Sequence, residues 1–232
     1  MDHKEGAQET GPDTRQLCRL LGDLGHEVAT PLASILLTCE MLADNTQGNL
    51  TDRQVRSLHN LIQAADEVQR LMKRTVLLTR LATFQLQFEN EPFQLDELLE
   101  EVAAAHLAVK VKALPPLPEK LTSDRQRLCE LLDLMIEFAL RRDPEPDLRV
   151  VSWPEGQISF TLRFSGALPE EQARMALDPF GAGLKNARNS GGPGLELALA
   201  ARLTSALGGR FEVSDRKDGK STLAALFPLP PF

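Results

Sequence analysis

The stretch LGHEVATPLASIL, residues 24–36, sets His26 beside Glu27 and follows them with Thr30 and Pro31. One apolar stripe runs through it: Leu17, Leu21, Leu24, Val28, Leu32, Ile35, Cys39 and Leu42, at spacings of 4, 3, 4, 4, 3, 4 and 3. That is helical periodicity close to a heptad. It predicts one long helix over 14–44, roughly 45 Å from end to end. His26 lies two residues from both Leu24 and Val28, about 200° around the helix. Its imidazole is therefore expected to point to water, with Thr30 one turn further on the same face. Pro31 has no N–H, so the Glu27 carbonyl loses its helical partner and a bend is expected beside the histidine.

Working outward, DNTQGN supplies turn residues, and Thr51-Asp52-Arg53-Gln54 has the form of a capping box. A second helix follows, with Val55, Leu58, Ile62, Ala65, Val68, Met72, Val76 and Thr79 at spacings of three and four. Leu61, Leu71 and Leu78 give it a second apolar edge. Two helices on a short loop make an antiparallel hairpin. One hairpin cannot cover two apolar edges, so a homodimer forming a four-helix bundle is expected.

After Asn90-Glu91-Pro92 the texture changes. LDELLEEVAAAHLAV reads as a helix, LPPLPEKL as a proline-rich connector, and Ser123 or Asp124 as the cap of a helix running to about Arg142. DLRVVSW and QISFTLRF are strand-like runs around Pro154-Glu155-Gly156. PEEQARMAL is a short helix, and FGAGLKNARNSGGPG is glycine-rich. LELALAARLTSALGG is a helix with a glycine stop, and RFEVSD and STLAALFPL are strands. The expected fold is α+β in two domains: a disordered tail over 1–13, a helical hairpin over 14–88, and an α/β sandwich over 92–232 on a mostly antiparallel sheet.

Composition limits the function. The 232 residues carry a net charge of −7, which disfavours nucleic acid and anionic membranes. Neither a long apolar run nor a signal-peptide pattern is present, so no membrane span and a cytoplasmic location are expected. Cys18, Cys39 and Cys129 lack metal-ligand spacing and read as reduced, buried thiols, with no metal site. His59 reads as solvated surface, His106 as a structural residue in an alanine-rich helix, and Trp153 as a packing residue.

The box GHEVATPLASIL resembles the phosphoacceptor motif H-E-x-x-T-P-L of the two-component sensor histidine kinases. The resemblance implies that His26 carries a phosphoryl group, that Glu27 assists as general base, and that Thr30 positions a hydrolytic water. Pro31 is then structural at the site. It further implies that the second domain has the ATPase fold of that family. There the resemblance is incomplete. Where the family's first nucleotide box reads N-x-x-x-N-A-x-K, this chain has LMIEFALR, residues 134–141. Leu134 and Phe138 replace the two asparagines, and Arg141 the lysine. Phenylalanine cannot ligate a hard cation. In RFSGALP, Arg163 or Ser165 takes the place of the adenine-reading aspartate. The last box, G-x-G-L-G, survives in part as Gly192-Pro193-Gly194-Leu195-Glu196. Gly192 and Gly194 could still form a phosphate-cradling turn, but Glu196 sits where an anion would lie.

The expected function is that of a kinase-like histidine phosphotransferase with a degenerate ATP site. It would exchange phosphoryl groups between His26 and the aspartates of response regulator receiver domains. No tightly bound cofactor and no bound ATP are expected, and Mg²⁺ would come with the receiver partner. Two alternatives stay open: an ATP-dependent kinase with divergent boxes, and a non-catalytic dimeric scaffold or phosphatase acting on a response regulator.

Overall fold

The computed structural model describes residues 14–44, 48–83, 86–153, 156–177, 195–215 and 219–229, without the side chains of residues 14–20 and 26. The tail, the segment containing Gly192 and Gly194, and the side chains of His26 and Cys18 lie outside this description. The chain divides into two compact units, residues 1–86 and 87–232.

The first unit is a helical hairpin. α1 (Thr14–Ala43) runs without interruption through Pro31. α2 (Asp52–Ala82) begins at Thr51, whose hydroxyl accepts from the Gln54 N–H while the Thr51 N–H donates to Gln54 Oε1 at 2.8 Å. This is the reciprocal cap expected from the sequence. Cys39 of α1 and Ala65, Leu77 and Leu78 of α2 are buried, whereas Leu24, Ile35, Leu42 and Leu61 remain about half exposed.

The second unit is a helix layer on a five-stranded sheet. Its elements are β1 (Glu91–Gln94), α3 (Leu95–Ala105), β2 (Lys110–Leu114), β3 (Lys120–Ser123), α4 (Arg125–Leu140), β4 (Asp147–Trp153), β5 (Gln157–Ser165), α5 (Glu170–Leu177), α6 (Leu195–Ala206), β6 (Arg210–Asp215) and β7 (Lys220–Pro228). The large sheet has the order β2-β4-β5-β7-β6, parallel only between β2 and β4, while β1 and β3 pair separately. Alternation sorts its faces. Leu148, Phe160, Leu162, Leu223 and Ala225 point into the core, where Leu131, Leu132, Met135 and Ile136 of α4 are also fully buried. The register places Val150 opposite Phe160 and Phe160 opposite Ala225, so large and small residues alternate across the sheet. α6 is buried along Glu196–Ala200, Leu203 and Thr204, as its nearly uniform apolar sequence requires. It ends at Ala206, and Gly208 just beyond it has a φ of 81°, open to glycine at little cost. A Cβ at Gly209 would lie 2.5 Å from the Leu226 carbonyl oxygen, so only glycine lets the chain enter β6 there.

Three sequence expectations are corrected. The helix read over 95–109 ends at Ala105, and β2 and β3 flank the proline-rich connector as short strands that bury little and depend on distant partners. Cys129 is half-buried rather than buried. Trp153 is 39% exposed and is not a core residue.

Asp143, just beyond α4, accepts from the backbone N–H groups of Glu145 at 2.9 Å and Ser165 at 2.7 Å. These bonds hold its carboxyl below the usual aspartate range. A depressed folded pKa contributes stability above the unfolded value, about 4, and loses it as pH falls through the lower folded value. In thermal unfolding followed from neutral into acid pH, Asp143→Asn is expected to show a shallower acid decline than the wild type. An identical slope for both proteins would rule this link out.

Candidate functional site

The phosphoacceptor-like box lies on one continuous helix. Glu27, Thr30 and Pro31 are exposed on α1, and the backbone of His26 is helical between them and Gly25. Gly25 marks a close approach of the two helices: a Cβ there would stand 2.7 Å from Val76 Cγ2 of α2. The small residue therefore lets α1 pack tightly beside the histidine. Alanine gains up to about 1 kcal/mol of helix propensity, which offsets the crowding. Gly25→Ile instead is expected to overpack the hairpin and cost about 1–3 kcal/mol in denaturant unfolding. A neutral isoleucine variant would show that the helices are not held together at this point.

Beyond Thr30, Leu37 and Met41 lie seven and eleven residues on and continue its face; they are 59% and 69% exposed. A second line, Leu24, Ile35 and Leu42, shares the same spacing at a different angle. Helix α1 thus carries two distinct apolar lines besides the one covered by α2.

In the second unit, the positions aligned with the nucleotide asparagines belong to the core. Leu134 is 6% exposed and Phe138 4%. The Phe138 ring packs edge-on to Phe164, with centroids 5.9 Å apart at 81°. The Arg142 guanidinium lies 3.8 Å from its centroid, and Arg142 Nη1 donates to the Phe138 carbonyl at 3.2 Å. Such a stack is a cation–π contact that desolvates the cation. Burial, followed by the neighbouring Arg141 charge, lowers the Arg142 pKa, while Glu196 opposes that shift. Glu196 itself is fully buried in the first turn of α6 and forms an ion pair with Arg141 at the end of α4. At the end of β5, Arg163 is half-buried and Ser165 exposed; the nearby carboxylate is that of Asp143, which the Ser165 N–H engages.

The sequence had flagged Arg141 and Glu196 separately, 55 residues apart, but nothing in it joined them. It also missed the contact of His106 with Asp133, Nε2 to Oδ1 at 2.7 Å. His106 is the C-cap of α3 rather than a residue within the helix, and the contact ties α3 to α4. Among the described residues, no group of three or more His, Cys, Asp or Glu side chains is arranged to hold a metal. Among them too, no helix is long and apolar enough to cross a membrane.

Residues 16–83 match the His Kinase A (phospho-acceptor) domain. The chain is 25% identical over 229 residues to the hybrid signal transduction protein dokA of Dictyostelium discoideum, covering 90% of this chain and 14% of that protein. It is 25% identical over 219 residues to the phosphate regulon sensor protein PhoR of Pseudomonas aeruginosa, covering 89% of this chain and 49% of that one. These matches support the two-component histidine kinase family. The crystal structure of full-length ShkA in complex with AMPPNP superposes with a TM-score of 0.70 at 24% identity, over 92% of this chain and 47% of that one. A helical phosphoacceptor-type unit followed by an α/β unit like the histidine kinase ATPase domains is therefore the fold of this chain. The chain spans half or less of the length of these curated relatives.

Proposed function

We propose that this chain works in a two-component phosphorelay as a phosphotransferase that does not bind ATP. His26 accepts a phosphoryl group from the aspartyl phosphate of a response regulator receiver domain and returns it to another aspartate. In the forward step the imidazole nitrogen bonds to phosphorus and the aspartate oxygen–phosphorus bond breaks. The aspartate leaves as its carboxylate, and Glu27 takes the ring proton. Mg²⁺ brought by the receiver supplies charge compensation at the transferred group; the rest is positioning. Thr30, one turn from His26, positions a water in the competing hydrolysis. The helical domain over 14–88 holds this chemistry, and the domain over 92–232 keeps the ATPase fold without its ligand. We place the protein in the cytoplasm.

The observation that carries the reading is the contrast between the two units. The H-E-x-x-T-P-L box is complete on α1, while Leu134 and Phe138 fill the first nucleotide box with core side chains. Incubation with a phosphorylated receiver and Mg²⁺ should label His26 on the chain without added ATP. Labelling only from Mg²⁺-ATP would favour the rival reading, an ATP-dependent kinase; the likeness to ShkA, solved with AMPPNP, speaks for that one.

The same reading includes a homodimer. Leu24, Ile35 and Leu42 of α1, with Leu61 of α2, are exposed at heptad-like spacing, as a second hairpin would need. Light scattering should give twice the chain mass for the wild type and a single chain mass for Ile35→Glu/Leu61→Glu. A wild type of single chain mass removes the dimer from the reading.

A further inference from the structure

The second unit holds two adjacent guanidinium groups at the end of α4, with a buried acid of α6 against them. Arg141 pairs with Glu196, and Glu196 also acts electrostatically on Arg142, which is drawn over Phe138. Arg141 is 39% exposed at its side chain, but Glu196 is not exposed at all. A carboxylate costs several kcal/mol to desolvate in a protein interior unless a cation meets it. The acid is thus committed to this place, whereas the cation still reaches solvent. Glu196 also occupies the first turn of α6, where a negative charge meets the partial positive end of the helix dipole. Three sources of positive potential converge on a single carboxylate that belongs to the chain.

We propose that Glu196 is a resident anion: it fills a position, formed by Arg141 and Arg142, that would otherwise take the phosphate groups of a di- or triphosphate. This inference rests on the reading that nucleotide binding is lost, and gives that loss an active cause. Absent nucleotide-box asparagines alone would leave an open, basic end to α4. With Glu196 in place, part of that positive charge is met internally, and α4 and α6 are tied together without a ligand. An incoming phosphate must displace a fully buried carboxylate from Arg141. The sequence position fits: Glu196 stands where the family's last box carries glycine, which has no charge to offer.

Neutralising the acid should uncover the position. With full-length protein, inorganic pyrophosphate without Mg²⁺ is titrated while thermal unfolding and binding heat are followed. The wild type is expected to ignore pyrophosphate. Glu196→Gln is expected to unfold at lower temperature, to bind pyrophosphate at least about tenfold more tightly than the wild type, and to regain part of its lost melting temperature. Adding Arg141→Ala to Glu196→Gln should remove that rescue, a result that a purely architectural ion pair would not produce. Should Glu196→Gln fail to fold, Glu196→Asp withdraws the carboxylate by one methylene and is expected to show the same gain in weaker form.

A folded neutral or shortened variant that stays silent toward pyrophosphate overturns the inference, as does a wild type that binds it equally well. Neither outcome touches the loss of nucleotide binding, which is tested separately by wild-type titration with Mg²⁺-ATP. Clear binding there overturns that loss, whatever pyrophosphate does.

Discussion

His26→Ala is expected to abolish phosphoryl labelling from a phosphorylated receiver, lowering the transfer rate by at least about a thousandfold, the scale seen when other catalytic nucleophiles are deleted. Transfer through a covalent phosphoimidazole has no substitute path once the nucleophile is gone. Positioning residues merely modulate the rate. The change removes a side chain from the middle of α1, and alanine is the best helix former, so the circular dichroism and melting of the hairpin should be preserved. Thr30→Ala provides the contrast. If Thr30 positions the hydrolytic water, its loss leaves labelling of His26 within a few-fold and prolongs the life of the receiver's phosphoryl group. Label persisting in His26→Ala would move the chemistry elsewhere. Among the other histidines, exposed His59 on α2 would be the first suspect, because its Nδ1 already contacts the Val55 carbonyl at 2.9 Å.

The helices of this fold were legible because each carries its own signal. The 3-4 spacing along α1, the Thr51–Gln54 cap of α2 and the Asp124 cap of α4, where Oδ1 accepts from the Arg127 N–H at 2.9 Å, are all local. β4, β5 and β7 were legible too, since a buried strand face writes its alternation into Leu148-Val150 or Ile158-Phe160-Leu162. β1, β2 and β3 were not. Phe93 meets Leu121 across 28 residues, and β2 lies in parallel beside β4, so their pairing is a tertiary fact that four- and five-residue runs cannot announce. The site divides in the same way. The histidine box is contiguous and shows its resemblance to the family motif along one segment, whereas the Arg141–Glu196 pair depends on the packing of α4 against α6 and left no mark in either segment.

Phe138→Asn, which restores the residue type of the family's metal-binding position, is expected to destabilise the second unit by about 3–5 kcal/mol and to confer no affinity for Mg²⁺-ATP. The side chain is almost wholly buried, with Phe164 at its edge and Arg142 on its face. Asparagine removes the ring, leaves a cavity between α4 and β5, and buries an amide without a hydrogen-bond partner, which accounts for about 1–3 kcal/mol of that loss. Arg142 would also lose the surface on which it is stacked. Phe138→Leu separates the contributions, since a smaller apolar side chain leaves part of the cavity filled and adds no buried amide, so its cost should fall well below that of asparagine. Denaturant unfolding of the three proteins gives the order wild type, leucine, asparagine. If asparagine were tolerated without loss, the position would not be the sealed core that the packing describes. A polar lining at α4 would then be available to a metal, and the case for an ATP-free protein would lose its structural basis. If stability falls as expected, asparagine at position 138 alone does not make a nucleotide site, because the aromatic packing there holds the unit together.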